Sequence, residues 1–144
     1  MIERPAIHRR NGVATAIGIL SAIYAVTFFF GALLHLGWSI PLGFTVLAEP
    51  RILPATVVEA LCGLVLTVAA FAGLTRMGRA WTAAFTAHAF ALGGVLLGIG
   101  ALAAGAGPST ELNAIYHRVM LVALGAVLAL LLSPTGRTAL RRPA

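Results

Sequence analysis

The chain has little charge and almost no reactive groups. Only 10% of its 144 residues are Asp, Glu, Lys or Arg, against about 25% in soluble domains. Lysine and aspartate are both absent. With abundant Ala, Gly and Arg, that bias reads as the codon usage of a high-GC bacterial genome. Cys62 is the only cysteine, so no intrachain disulfide and no paired-cysteine redox chemistry can be built. Quinone-linked, disulfide-forming membrane enzymes are excluded on that ground. There is no HExxH pair and no cysteine ligand cluster, and the glycine-rich run 93–105 lacks the Lys-Ser/Thr partner of a phosphate loop. No serine has the context of a nucleophile elbow. The net charge of +6 does not indicate nucleic acid, because no basic stripe with stacking aromatics accompanies it.

Apolar side chain is abundant instead, at 60% of the residues. A single domain of this size has too little interior to hide that much, so the solvent it suits is lipid. The apolar residues fall in four runs, predicting helices over about 13–36, 55–74, 80–104 and 112–132. Each is near the roughly 20 residues that span a ~30 Å hydrocarbon layer. The expected fold class is all-α: one integral membrane four-helix bundle over 1–144, with a long outer loop between the first two helices. The first run, at about 24 residues, is too long for the 7–15-residue apolar stretch of a cleaved signal peptide.

The arginines set the expected orientation. Arg4, Arg9 and Arg10 precede the first helix, Arg76 and Arg79 lie between the second and third, and Arg137, Arg141 and Arg142 follow the fourth. Basic segments are retained on the cytoplasmic side. Both termini, the basic tails 1–12 and 133–144, are thus expected in the cytoplasm of a bacterial inner membrane. Pro54 suits a first helical turn. Pro108 with Ser109 or Thr110 supplies a turn and an N-cap, and Ser133-Pro134 ends the fourth helix. The 75–79 connection is a tight turn and 105–111 a short outer loop. The segment 37–53 is apolar and broken by Pro41, Gly43 and Pro50. It reads either as an interfacial or partly re-entrant segment over the outer end, or as a plain surface loop. Gly94 and Gly98 form a GxxxG pair that lets helices approach closely, for packing within the chain or for a homo-oligomer or larger membrane complex.

Polar residues inside apolar helices are costly and mark candidate sites. Given this topology, His35, Glu59 and His117 reach one depth near the outer end, with Glu49, Glu111, Asn113 and Arg118 around them. Glu59 heads a small, mildly polar face that continues through Cys62, Gly63, Thr67 and Ala70. Asn113 and His117 share a helix face. Two imidazoles and a carboxylate suit a metal ion. Two histidines suit a haem, and the group as a whole suits a small ligand. The plainer expectation pairs Glu59 with Arg118 or His117 and lets His35 reach into the headgroups. Deeper in the membrane, His88 is expected to hydrogen-bond Tyr24 or Thr67. Helix 1 lacks the glutamate of the small multidrug exporters. The sequence therefore predicts an accessory or assembly subunit with an outer metal, haem or small-ligand site, and it carries no motif that points to an enzyme. Its alternatives are a purely structural subunit and a small proton or solute transporter.

Overall fold

The computed structural model describes residues 3–108 and 110–141, with side chains from residue 12 onward. Five helices and one hairpin follow in order: α1 (Glu3–Leu36), β1 (Ser39–Pro41), β2 (Val46–Ala48), α2 (Leu53–Leu74), α3 (Ala80–Ala103), α4 (Glu111–Leu132) and α5 (Pro134–Leu140). The Gly12–Leu36 part of α1, and α2, α3 and α4, are each long and apolar enough to cross a membrane. All four expected helices are present, with the bounds of α2, α3 and α4 moved by one or two residues.

Three expectations change. Residues 3–12 are not a tail but the first turns of α1. Extending a formed helix is easy, and the glycine at position 12 costs only about 1 kcal/mol against alanine. The side chains of Arg4, Arg9 and Arg10, and all of Ser109 and Arg142, lie outside the described residues. The segment after α4 is not a plain tail either, because Pro134–Leu140 folds as α5. The 37–53 segment, expected as a broken apolar segment or a plain surface loop, holds regular structure. Its middle is an antiparallel hairpin pairing Ser39 with Ala48 and Pro41 with Val46. Pairing within the hairpin satisfies its inward-facing backbone groups, and Trp38 and Phe44 stay exposed.

Helix ends follow local chemistry. α1 closes on Gly37, at φ 108, with the Gly37 and Trp38 amides donating back to the Leu34 and Leu33 carbonyls. Only a residue at ease in the left-handed region makes this closure without strain. α2 starts with Pro54 in its first turn, as expected. α4 starts on Thr110, whose hydroxyl accepts from the Asn113 amide, so Thr110 is the cap the sequence offered. Ser133 ends α4 and caps α5, accepting from the Gly136 amide at 3.2 Å.

α1 packs along α2, α2 along α3 and α3 along α4, while α5 folds back against α1 and α4. The α1–α2 approach is closest where glycines meet: a Cβ on Gly73 would lie 3.4 Å from the Gly18 Cα. Two apolar clusters fill the interior. One gathers Phe28, Cys62, Leu66, Ala91, Val95, Met120 and Leu124 across α1–α4. The other gathers Ala14, Ile17, Ala84, Val127 and Leu131 under Ala139 and Leu140 of α5. Outward-facing residues such as Val26, Phe71 and Val122 stay exposed, a surface that suits lipid contact.

At the α5 end, the Trp81 indole donates to the Leu131 carbonyl at 2.9 Å and stacks on Phe85. The Arg141 guanidinium lies 4.8 Å from the centre of the Trp81 ring. Gly136 allows α5 to turn this tightly, since a Cβ there would strike the Leu130 carbonyl. A Cβ on Gly125 would meet nothing within 4 Å. Gly136→Ala is therefore expected to lower stability by about 1–3 kcal/mol, as forced overpacking does. Gly125→Ala should raise it by up to about 1 kcal/mol through helix propensity. Thermal midpoints of the two variants in detergent should move in opposite directions, and a shared sign would refute the account.

Candidate functional site

The polar residues at the hairpin end are positioned by the last turn of α1, the first turns of α2 and the first turns of α4. His35 and Glu59 are both buried, at 3% and 6% exposure. The missing side chain of Gly31 admits the carboxylate against α1: a Cβ there would lie 2.8 Å from Glu59 Oε1. His35 Nε2 faces the same oxygen at 4.0 Å. On the other side of the ring, His35 Nδ1–H donates to the Pro50 carbonyl at 3.2 Å, and the Ile52 amide donates to the His35 carbonyl at 2.9 Å. The start of α2 is thereby stapled to the end of α1.

On α4, His117 Nδ1–H donates to the Asn113 carbonyl at 2.8 Å. Its Nε2 lies over Gly98, where a methyl group would collide with it. Gly94 likewise makes room for Cys62 Sγ. Both glycines of the GxxxG pair therefore accommodate side chains of this same chain, which is the packing use of the motif.

His35, Glu59, Asn113 and His117 line one cavity of about 270 Å³ between α2, α3 and α4. Its remaining wall is apolar, including Val58, Leu97, Ala101 and Leu102. A second cavity of about 100 Å³ lies on the α1 side, lined by Gly31, His35, Glu49, Glu59, Asn113 and Tyr116 among others. His35, Glu59 and Asn113 thus form the partition between the two.

Several sequence expectations are corrected here. Glu59 faces His35, not Arg118 or His117, and His35 is buried rather than extended towards headgroups. Glu111 and Arg118 are exposed and line neither cavity. Asn113, expected at the periphery, is 5% exposed and sits in the wall of both. Glu49 joins the site indirectly, with both carboxylate oxygens accepting from the Thr110 hydroxyl at 2.7 Å. Among the described residues, no three His, Cys, Asp or Glu side chains converge to hold a metal ion. Haem ligation from two faces is not prepared either: one free imidazole edge is turned to Glu59 and the other lies against Gly98.

The deeper polar residues do not join one another by hydrogen bonds. Thr67 is exposed, and its hydroxyl donates to the Gly63 carbonyl in its own helix. It therefore leaves the inward face, which Leu66 takes. His88 is fully buried, and its Nδ1–H donates to the Ala84 carbonyl at 2.8 Å. Tyr24 meets it only as an edge-on ring at 6.1 Å. Helical hydroxyls and imidazoles find the carbonyl one turn back more readily than a partner on another helix. The sequence reading missed Tyr116, whose buried hydroxyl has no hydrogen-bond partner. Its position three residues after Asn113, on the same helix face, was the available signal.

Compared with protein-family models, curated proteins and solved structures, the chain matches none.

Thr110 is the hinge of the Glu49 connection, because one hydroxyl both caps α4 and holds the carboxylate. Thr110→Ala is expected to cost about 0.5–2 kcal/mol, the range for a lost cap, while Thr110→Ser keeps both bonds. Glu49→Gln added to Thr110→Ala should cost less than the two changes summed, since they share a partner. Additive losses of thermal stability would show the two groups to be uncoupled.

Proposed function

We propose that this is a multi-pass protein of a bacterial inner membrane, a four-helix bundle with both termini in the cytoplasm, that binds a small ligand in the cavity at its outer end. It serves as an accessory subunit rather than as an enzyme. One observation carries the reading: Glu59 and Asn113 are buried in a cavity wall, and the Glu59 Oε2 and Asn113 Oδ1 atoms have no hydrogen-bond partner. A buried polar atom left bare costs about 1–3 kcal/mol. Two such atoms beside an apolar hollow are what a binding site leaves open.

The alternatives draw less support. A proton or solute path needs polar groups in sequence across the membrane, yet Phe28, Leu66, Met120 and Leu124 lie packed in the interior. A structural subunit docking through Gly94 and Gly98 would need a surface that Cys62 and His117 already occupy.

Two arms test the proposal. In native mass spectrometry from nanodiscs, the protein should carry a small adduct that Ala101→Phe, which fills the cavity, reduces at least tenfold. Identical spectra would sink the site reading. In a Cys62→Ala background, Gly107→Cys should react with an impermeant thiol reagent in intact cells, and Thr135→Cys only after permeabilisation. The reverse pattern would overturn the orientation.

A further inference from the structure

The hydrogen-bonding character of the cavity wall limits what the ligand can be. His35 Nδ1 faces the Pro50 carbonyl, which only accepts, so that nitrogen carries the proton. In the neutral ring, Nε2 is then a lone pair. It faces Glu59 Oε1, a second acceptor, at 4.0 Å. A charge-assisted hydrogen bond would be about 2.7–2.9 Å long, so the two are not joined by a shared proton. His117 repeats the backbone bond, with Nδ1–H given to the Asn113 carbonyl and Nε2 set against Gly98, and both residues line the larger cavity. Glu59 Oε2 and Asn113 Oδ1 complete the set, both buried and without a donor.

The polar end of the cavity is thus rich in acceptors. It is also poor in positive charge. The chain has no lysine, no arginine lines either cavity, and Glu59 and Glu49 are the carboxylates that do. The rest of the larger cavity is apolar, formed by Val58, Leu97, Ala101 and Leu102. A dry cavity of about 150 Å³ is enough to hold benzene, and this one is about 270 Å³.

We infer that the ligand is a small organic ammonium ion, whose N–H donors bridge Glu59, His35 and Asn113 and whose compact apolar group fills the hollow between α2, α3 and α4. A protonated amine offers three donors and one positive charge. It meets acceptors that the protein leaves bare and supplies the counter-charge that Glu59, once ionised, lacks within the fold. An anion would meet the Glu59 carboxylate as a like charge, with the Asn113 amide and the Tyr116 hydroxyl as the side-chain donors and no cation beside them. A neutral alcohol supplies a single donor and no charge.

This inference rests on the cavity being a binding site, and the experiment separates the two. Benzylamine, benzyl alcohol and benzoate share one ring and differ in the charge of the head. Their binding to the protein in nanodiscs is measured by ligand-detected NMR, with empty nanodiscs as the partition control. Benzylamine should bind at least tenfold more tightly than benzyl alcohol, and benzoate should not bind. Glu59→Gln, of nearly unchanged shape, should remove the preference for the amine, and Ala101→Phe should remove binding altogether. If benzyl alcohol binds as well as benzylamine, and Ala101→Phe abolishes both, the cavity is a site but the ammonium assignment is wrong. If Ala101→Phe changes nothing for any of the three, both readings fail.

Discussion

Polar groups surrounded by hydrocarbon have only the protein itself to bond to, and most of this fold can be understood from where that requirement is met. The Ser21, Thr67 and Thr86 hydroxyls each return to a carbonyl one turn back in their own helix. The Trp81 indole finds a carbonyl at the end of α4. His35, His88 and His117 each give one ring proton to a backbone carbonyl. Against that background the exceptions stand out. Among the described residues, Glu59 Oε2, Asn113 Oδ1, Tyr116 OH and His88 Nε2 remain bare; the first three belong to residues that line the cavities at the hairpin end, and His88 lies deeper, away from both.

Small residues make those placements possible. Gly18 and Gly73 bring α1 and α2 into backbone contact. Near the other end of the same pair, Gly31 makes room for the Glu59 carboxylate. Gly94 and Gly98 do likewise for Cys62 and His117. A Cβ at Gly31 or Gly98 would displace the Glu59 and His117 side chains themselves, so these glycines shape the cavity wall as much as the packing. The pair reads in sequence as a helix-association motif, but here the space it opens is taken by side chains of neighbouring helices in the same chain.

Much of this was legible in the sequence, for definite reasons. Hydropathy marks the four long helices because a membrane span must be apolar over its whole length. Pro54 and Thr110 mark two helix starts because cap chemistry is local. Convergence of His35, Glu59, Asn113 and His117 at one end follows from counting residues along helices of alternating direction. Facing was not legible. A helical position can be rotated by packing, and so Thr67 left the inward stripe while Leu66 took its place. The choice of partner for Glu59 was hidden as well. Arg118 and His117 looked as suitable as His35, and the outcome depends on Gly31 and on the Pro50 carbonyl holding the His35 ring. The hairpin and the early start of α1 were missed because they rest on pairing and continuity, and α5 because it is a short capped helix held by packing on α1 and α4, not a long apolar run.

The two ends of the molecule are built on opposite principles. At the α5 end, a positive group has a partner at the surface: the exposed Arg141 lies over Trp81, and Trp81 is itself hydrogen-bonded to α4. At the hairpin end, the cations near the acidic residues are not used. Arg51 and Arg118 are exposed and line neither cavity, while Glu59 is buried with only an imidazole facing it. An ion pair with either arginine would have been the simple solution to a buried carboxylate. A buried carboxylate with an imidazole but no arginine beside it, set in the wall of a hollow, is the arrangement on which the proposed ammonium site rests.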